Sequence, residues 1–583
     1  MVKFLGKNKN GNEWQFGLLA VIGLVLSIGS SFFMFANKDI APDWDMVSVI
    51  NFLMHGAAGS EPNLLSADLF RFTINEHQPY IPMLIWGIDF KAFGSYGLLP
   101  QILMQVFAIC FVVLATSWSR PRPDTHTFYA YAVLLSGCAL SLCYLHWENL
   151  VWPNQILLYT SILFSIIAIS LAASISKRNW RHQVLRALFS GFFAICATFS
   201  FGWGLVVWPV LVIHGLLTRW AWQSLVTMLF LCLGTLTVYF LQFSGGTHPG
   251  NPAESLIQPW SVMHFSALLL GSPLVVLTGM NYLVGYVFGY LLLALFFGVA
   301  FQVYFRRKEL DELQMRSLMI CLFCIGVCVL TSLGRSALAY RYMVIPTLFF
   351  LAFPGLFPLR PPMASKLKRR CAILFLSGVL VMSGASFLSD NSLRNKQFMI
   401  REGTISATFG THPLYRGLSP SPSKINEVVW PFYLKHHGDT QPLKLHTWLG
   451  KPMPQTAVPE TPSQQETNCK GRVDRIEIRE GYPGLVIPHG WIRLGPEGQR
   501  QAKWVVITDS SGMVVGLATT GIKRPDVREH LNASWLDDLM TQSHRAGFIG
   551  FIRSQPGESL NFYAYDDEKC YLFEKMALAA EGP

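Results

Sequence analysis

Charge is scarce in this chain: 14% of its 583 residues are Asp, Glu, Lys or Arg, against 51% hydrophobic, and the mean hydropathy is +0.35. Soluble globular domains carry roughly 25% charged residues, so water cannot be the only solvent of this protein. It has no Gly-x-x-x-x-Gly-Lys-Ser/Thr loop, which removes the usual cradle for a soluble nucleotide. Internal repeats are lacking, and the apolar runs between 155 and 244 hold almost no ionisable residues, which speaks against a transporter. Cysteine is almost absent beyond residue 390, where only Cys469 and Cys570 occur.

What the chain does have is apolar runs long enough for a bilayer. A hydrocarbon core about 30 Å thick takes roughly 20 residues of helix. Eleven such runs are predicted, near 15–36, 96–117, 126–145, 155–175, 187–202, 204–218, 224–244, 280–305, 317–333, 342–358 and 372–388. The fold class expected is an α-helical polytopic membrane protein of about eleven spans, followed by a β-sandwich-like domain on the non-cytoplasmic side.

The net charge of +11 raises the question of nucleic acid, and the placement of the basic residues answers it. With a cytoplasmic N-terminus, 19 Lys and Arg fall in the inner connections, among them Lys3, Arg120, Lys177, Arg219, Arg306 and Lys368. The opposite loops hold five, Lys38, Arg71, Lys91, Arg335 and Arg341, with nine acids, and the tail after 389 is nearly neutral. The positive-inside rule then sets the orientation in a bacterial inner membrane and leaves the C-terminal domain periplasmic. No basic groove remains for nucleic acid. The first apolar run is too long for a signal peptide and is expected to stay as an anchor.

Three segments are expected: a membrane part over 1–390 with a long first periplasmic loop at 37–95, a helix-and-loop connector with a linker over 391–467, and a β domain over 468–583. In the last, alternating patterns predict strands near 473–478, 485–494, 504–509, 513–519, 548–553 and 560–565, with Asp509-Ser510-Ser511-Gly512 as a hairpin turn. Two thiols alone in an oxidising compartment predict a disulfide between Cys469 and Cys570. Cys321, Cys324 and Cys328 lie within an apolar run without His or carboxylate company, and are expected to pack as core.

Polar groups gather at the outer mouth. Asp39, Asp43 and Asp45 follow the first span, with Asp43-Trp44-Asp45 forming a DxD pattern that suits a base or a divalent cation, or simply solvated loop acids. Asn75-Glu76-His77-Gln78-Pro79 opens a predicted surface helix at 80–93, as site residues or as its cap. His146-Trp147-Glu148-Asn149 fills a short outer turn, where Glu148 needs a polar partner or snorkels. Gly334-Arg335-Ser336 and Tyr340-Arg341-Tyr342 precede the tenth span; these arginines suit a lipid phosphate or pairing with loop acids.

This arrangement resembles the GT-C superfamily of integral-membrane glycosyltransferases, over the architecture of roughly the first 390 residues. The residues that carry the resemblance are the acidic pair Asp43 and Asp45 in the first outer loop and the late Arg341-Tyr342-Met343-Val344-Ile345-Pro346 pattern. Many members place the two acids side by side, whereas Trp44 separates them here. The resemblance implies transfer of a sugar from a polyprenyl-phosphate carrier to a glycan, lipid or protein acceptor. It implies Asp43 or Asp45 as the base or as ligands of Mg or Mn, with Glu76, His77, Glu148, Arg335, Arg341 and Tyr342 binding substrate. No cofactor other than that divalent cation is expected. Other classes stay open: a transporter or lipid flippase, an O-antigen polymerase, ligase or acyltransferase, and a non-catalytic scaffold.

Overall fold

The computed structural model describes residues 18, 21–29, 31, 47–55, 72–73, 77–94, 97–116, 134, 137–174, 179–241, 257–278, 281–305, 312–335, 337–356, 395, 398–399, 401–403, 405, 409, 443–457, 469–478, 485–495, 500–524, 526–527, 545–555, 557–566 and 569–578. Two compact units divide the chain, one formed by 1–37 with 52–390 and the other by 38–51 with 391–583.

Helices build the first unit, and the first of them in chain order begins within the second, at Val47–Asn51. After α1 (Val47–His55) come α2 (Tyr80–Phe93), α3 (Leu98–Thr116), the short α4 (Trp147–Val151), α5 (Ile156–Ala173), α6 (Trp180–Thr198), α7 (Val207–Thr218), α8 (Trp222–Leu241), α9 (Pro259–Leu277), α10 (Tyr282–Phe305), α11 (Glu312–Gly334) and α12 (Val344–Ala352). Among the described residues six stretches are long and apolar enough to cross a membrane, at Leu98–Ala115, Pro153–Ala173, Trp222–Leu241, Pro259–Val276, Tyr282–Gln302 and Gln314–Gly334. Shorter apolar helices cover Gly202–Thr218 and Tyr340–Leu356. The protein is therefore a multi-pass membrane protein. Half of the predicted third span and all of the eleventh lie outside the described residues.

One helix departs from the sequence reading. Pro259–Leu277 lies between the seventh and eighth predicted runs, 224–244 and 280–305. Pro273 interrupts the apolar run, yet the helix tolerates it. The Leu269 carbonyl that a residue 273 amide would have served accepts the Ser272 hydroxyl instead, at 2.6 Å.

Side-chain contacts sort the helix ends into two groups. Tyr239 of α8 lies against Phe199 at the end of α6, with ring centroids 6.2 Å apart, and its carbonyl accepts from Gln78. Trp203 donates to Thr331 near the end of α11, and Trp203 meets Tyr342 at the start of α12. These residues mark one end of the bundle, the site end. At the other, Gln314 of α11 donates to the Leu356 carbonyl, and Ala221 N–H donates to Gln183 early in α6. Cys321, Cys324 and Cys328 are buried in α11, at 0%, 0% and 3% exposure, as the core reading expects.

The predicted β-rich domain is present, and its strands form one continuous antiparallel sheet rather than two facing ones. The strands are β1 (Cys469–Ile478), β2 (Leu485–Leu494), β3 (Arg500–Gln501), β4 (Trp504–Thr508), β5 (Val514–Ile522), β6 (Gly547–Arg553), β7 (Ser559–Asp566) and β8 (Lys569–Ala577). Their order is β1-β2-β6-β5-β4-β7-β8, with β3 on β2. The sheet curls until its edges meet: the Val473 N–H of β1 donates to Glu574 of β8, and Cys469 Sγ approaches the Tyr571 and Leu572 carbonyls. Inside the curl pack Val473, Ile492, Val505, Ile507, Phe548, Ile552 and Phe562. The other face carries Trp504, Val506, Leu517, Phe551 and Tyr565, and the connector covers it with Ile405, Phe409, Leu445, Trp448 and Ala457. Alternation along β4 thus feeds two cores, because both faces of the strand are buried.

That geometry overturns the predicted disulfide. Cys469 belongs to the core inside the curl and Cys570 to the core under the connector, so the two thiols point to opposite faces of the sheet and are not joined in a disulfide. The reason is register: Cys570 pairs with Tyr565 on β7 while Cys469 pairs with Leu494 on β2, and proximity of the two edges does not bring the side chains together.

Candidate functional site

The site end of the bundle is assembled from two short irregular pieces facing each other. The first runs from the 3-10 turn Tyr144–His146 through α4 to a second 3-10 turn, Pro153–Gln155. Pro153 prevents α4 from continuing, and Trp86 Nε1–H of α2 donates to its carbonyl. The second piece is the 3-10 turn Tyr340–Met343 that leads into α12.

Three consecutive residues of the first piece grip the second. His146 Nε2 lies 3.1 Å from Thr347 Oγ1. The Trp147 and Tyr340 rings meet at 5.9 Å. Glu148 takes Arg341 from two sides: Arg341 Nη1–H donates to Oε1 at 3.0 Å and the Arg341 backbone N–H donates to Oε2 at 2.9 Å. The guanidinium lies over the rings of Trp152 and Tyr342, at 5.9 and 5.3 Å. The carboxylate side chain is 11% exposed and the arginine 31%, so the pair is screened from water chiefly on the acid's side. Arg341 thus pairs with an acid, one of the two roles the sequence left open for it.

A row of rings ties His77 to this pair. His77 lies 3.9 Å from Phe201, Phe201 5.3 Å from Trp203, and Trp203 6.2 Å from Tyr342, measured between ring centroids. Gly202 leaves room for the imidazole, since a Cβ there would stand 3.0 Å from His77 Nδ1. The Ile81 N–H donates to the Phe199 carbonyl, which holds the start of α2 on the end of α6. Asp89, buried in α2, accepts from the backbone N–H of Gly97 and of Leu99 and so caps the start of α3.

Of the sequence-predicted residues, His77, Glu148, Arg341 and Tyr342 come together at this end. Arg335 follows the last residue of α11 and is half-buried. Asp43, Asp45 and Glu76 lie outside the described residues. Among the described residues no three metal-ligating side chains converge.

Several residues escaped the sequence reading. Asn149 is fully buried, and neither amide atom has a partner among the described residues; Trp147 Nε1 is in the same condition. Buried amides without partners are rare in folded proteins and mark places where water or a ligand completes the bonding. Ser141, His146, Tyr159 and Thr347 line a small cavity. His146 and Asn149 flank Glu148 in sequence and could have been flagged for that. Thr347 and Tyr159 sit in apolar runs and carried no signal.

No protein-family model matches the chain, and no curated protein matches it. Among solved structures, the crystal structures of ArnT from Cupriavidus metallidurans in the apo state and bound to undecaprenyl phosphate are similar to it. Each is 16% identical, the match covers 73% of this chain and 76% of that one, and the TM-scores are 0.35 and 0.34. Likeness at that level assigns neither residues nor ligands.

Proposed function

We propose that this protein is a membrane glycosyltransferase that moves a sugar from a polyprenyl-phosphate carrier to an acceptor at the periplasmic face of the bacterial inner membrane, a cell-envelope glycan, lipid or protein. The observation that carries the reading is the convergence of His77, Glu148, Arg341 and Tyr342 at one end of an apolar bundle. A partly exposed arginine set among rings at the end of an apolar bundle suits a ligand with a phosphate at headgroup depth and a lipid tail alongside.

In this mechanism the acceptor hydroxyl attacks the anomeric carbon. Its proton passes to the carboxylate of Asp43 or Asp45, and the bond to the lipid phosphate breaks with its electron pair leaving on the phosphate oxygen. Arg341, steadied by Trp152 and Tyr342, receives the departing phosphate with the guanidinium edge that Glu148 does not use. Glu148 fixes where that edge points. Supplying lipid-linked sugar to membranes tests the base: Asp43→Asn or Asp45→Asn is expected to lower turnover by about 10² to 10⁴, the usual share of general-base catalysis. Wild-type rates in both single variants and in the double variant, at equal expression, would remove the assignment and favour a transporter or scaffold. The orientation has its own test, since a reporter fused after residue 390 should be active in the periplasm and one fused near Lys368 in the cytoplasm.

A further inference from the structure

Helix α9 is 19 residues long and apolar enough to cross a bilayer, but the elements around it leave no room for a crossing. The chain enters this region at the site end, where Tyr239 of α8 meets Phe199 and Gln78. It must leave from the same end. Helix α11 begins at the opposite end, with Gln314 on the Leu356 carbonyl, and α10 runs into it through a connection of six residues, so α10 starts at the site end.

Everything between α8 and α10 therefore departs from and returns to one side. For α9 to cross, residues 242–256 would have to cross as well. That stretch, with its glycines, two prolines, His248, Asn251 and Glu254, cannot satisfy its backbone in hydrocarbon.

The contacts of α9 agree. Ser266 Oγ lies 3.0 Å from Ser332 Oγ in the last turn of α11, Ser272 Oγ lies 3.2 Å from Met343 Sδ, and Val276 packs with Leu145 and Met343. From Ser266 to Val276 the helix thus stays against the same end of the bundle. Small residues allow α10 to lie close along it: a Cβ on Gly271 would stand 2.0 Å from the Gly285 carbonyl oxygen, and one on Gly289 1.8 Å from that of Ala267. The first turns of α9 are open, with Ile257 and Trp260 80% and 70% exposed, and no charged residue interrupts the helix. Next to them the exposed His264 Nδ1 is 2.6 Å from the Tyr290 hydroxyl, with Tyr286 edge-on.

We infer that α9 is a re-entrant helix lying in the headgroup layer of the site-end leaflet, and that the partner of its Ile257, Trp260 and His264 edge is the phospholipid interface. An apolar helix with indole, phenol and imidazole groups on its open edge matches that layer, where rings bury one side and hydrogen-bond on the other. The inference does not depend on the transferase reading.

Two measurements on the full-length protein test it. Gln258→Cys and Asn281→Cys, both exposed and at opposite ends of α9, are labelled with a membrane-impermeant maleimide from each side of sealed vesicles, with the parent protein as background. Both should react from the side that labels Ala337→Cys, an exposed position just past α11, and neither from the side that labels Glu312→Cys at its start. Labelling of Gln258→Cys from the Glu312 side alone would show a crossing and overturn the proposal. A spin label at Met263→Cys should be relaxed more by a headgroup-level nickel chelate than by oxygen. Relaxation dominated by oxygen would place the helix in the hydrocarbon and overturn the headgroup assignment even with both ends on one side.

Discussion

In the helical unit Glu148 reaches Arg341 across 193 residues of sequence, whereas in the C-terminal unit the buried arginines serve carbonyl groups: Arg401 donates to Thr520 O and Arg545 to Gly521 O. The second pattern is architectural. It pins the connector to the end of β5, helped by Arg545 on Asn395 and by Phe398 packed on Gly521. The first pattern sits beside buried groups that have no protein partner among the described residues, Asn149 and Trp147 Nε1. Buried polar atoms with no protein partner among the described residues also occur at the other end of the bundle, at His214 and Trp220 Nε1, so it is the Glu148–Arg341 pair that sets the site end apart.

The largest effect is expected from breaking the charge pair. Glu148→Ala or Arg341→Ala should each lower stability by roughly 2–4 kcal/mol, below the cost for a fully buried pair because Arg341 is partly exposed. The double variant should lose much less than the sum, as read from thermal unfolding in detergent. Additive losses would mean that the pair is not coupled and that the contrast with the C-terminal arginines is empty.

Close backbone approaches should cost less, and similarly in both units. Gly289→Val in α10 forces a Cβ against the Ala267 carbonyl, and Gly490→Val in β2 forces one to 2.2 Å from the Arg472 carbonyl. Each should cost about 1–3 kcal/mol through overpacking, more if the backbone cannot shift. Gly521→Ala should fall in the same range, about 1–3 kcal/mol, because φ is +135° there and Phe398 occupies the space. A neutral Gly521→Ala would show that Phe398 does not dock where the structure places it.

The smallest effect belongs to the two thiols of the β domain. Cys469→Ala and Cys570→Ala should each cost about 1 kcal/mol as small core truncations, against roughly 2–5 kcal/mol for a lost disulfide. Reductant should leave the unfolding temperature unchanged. Burial raises both thiols, Cys469 to about 12, so alkylation of the folded protein should stay slow at pH 8 and quicken only as pH climbs towards that value. Rapid alkylation at pH 8 would mean that the sheet edges open.

The sequence by itself determined that the chain belongs in a membrane, that Tyr80–Phe93 is helical and that a β-rich domain follows the helices. Those properties are local: apolar run length and a period of two can be read within about twenty residues. The Asp509 turn was equally legible, with Asp509 Oδ1 accepting from the Ser511 and Met513 N–H groups and Gly512 at φ +83°. Glu148, Arg341 and His77 stood out as polar residues in apolar surroundings, but their partners did not. Only the tertiary structure decided that Arg341 answers Glu148, that Thr347 answers His146, that Cys469 and Cys570 face different cores and that α9 turns back. Each of these depends on which segments pack side by side or on strand register, and neither is encoded in any single stretch of sequence.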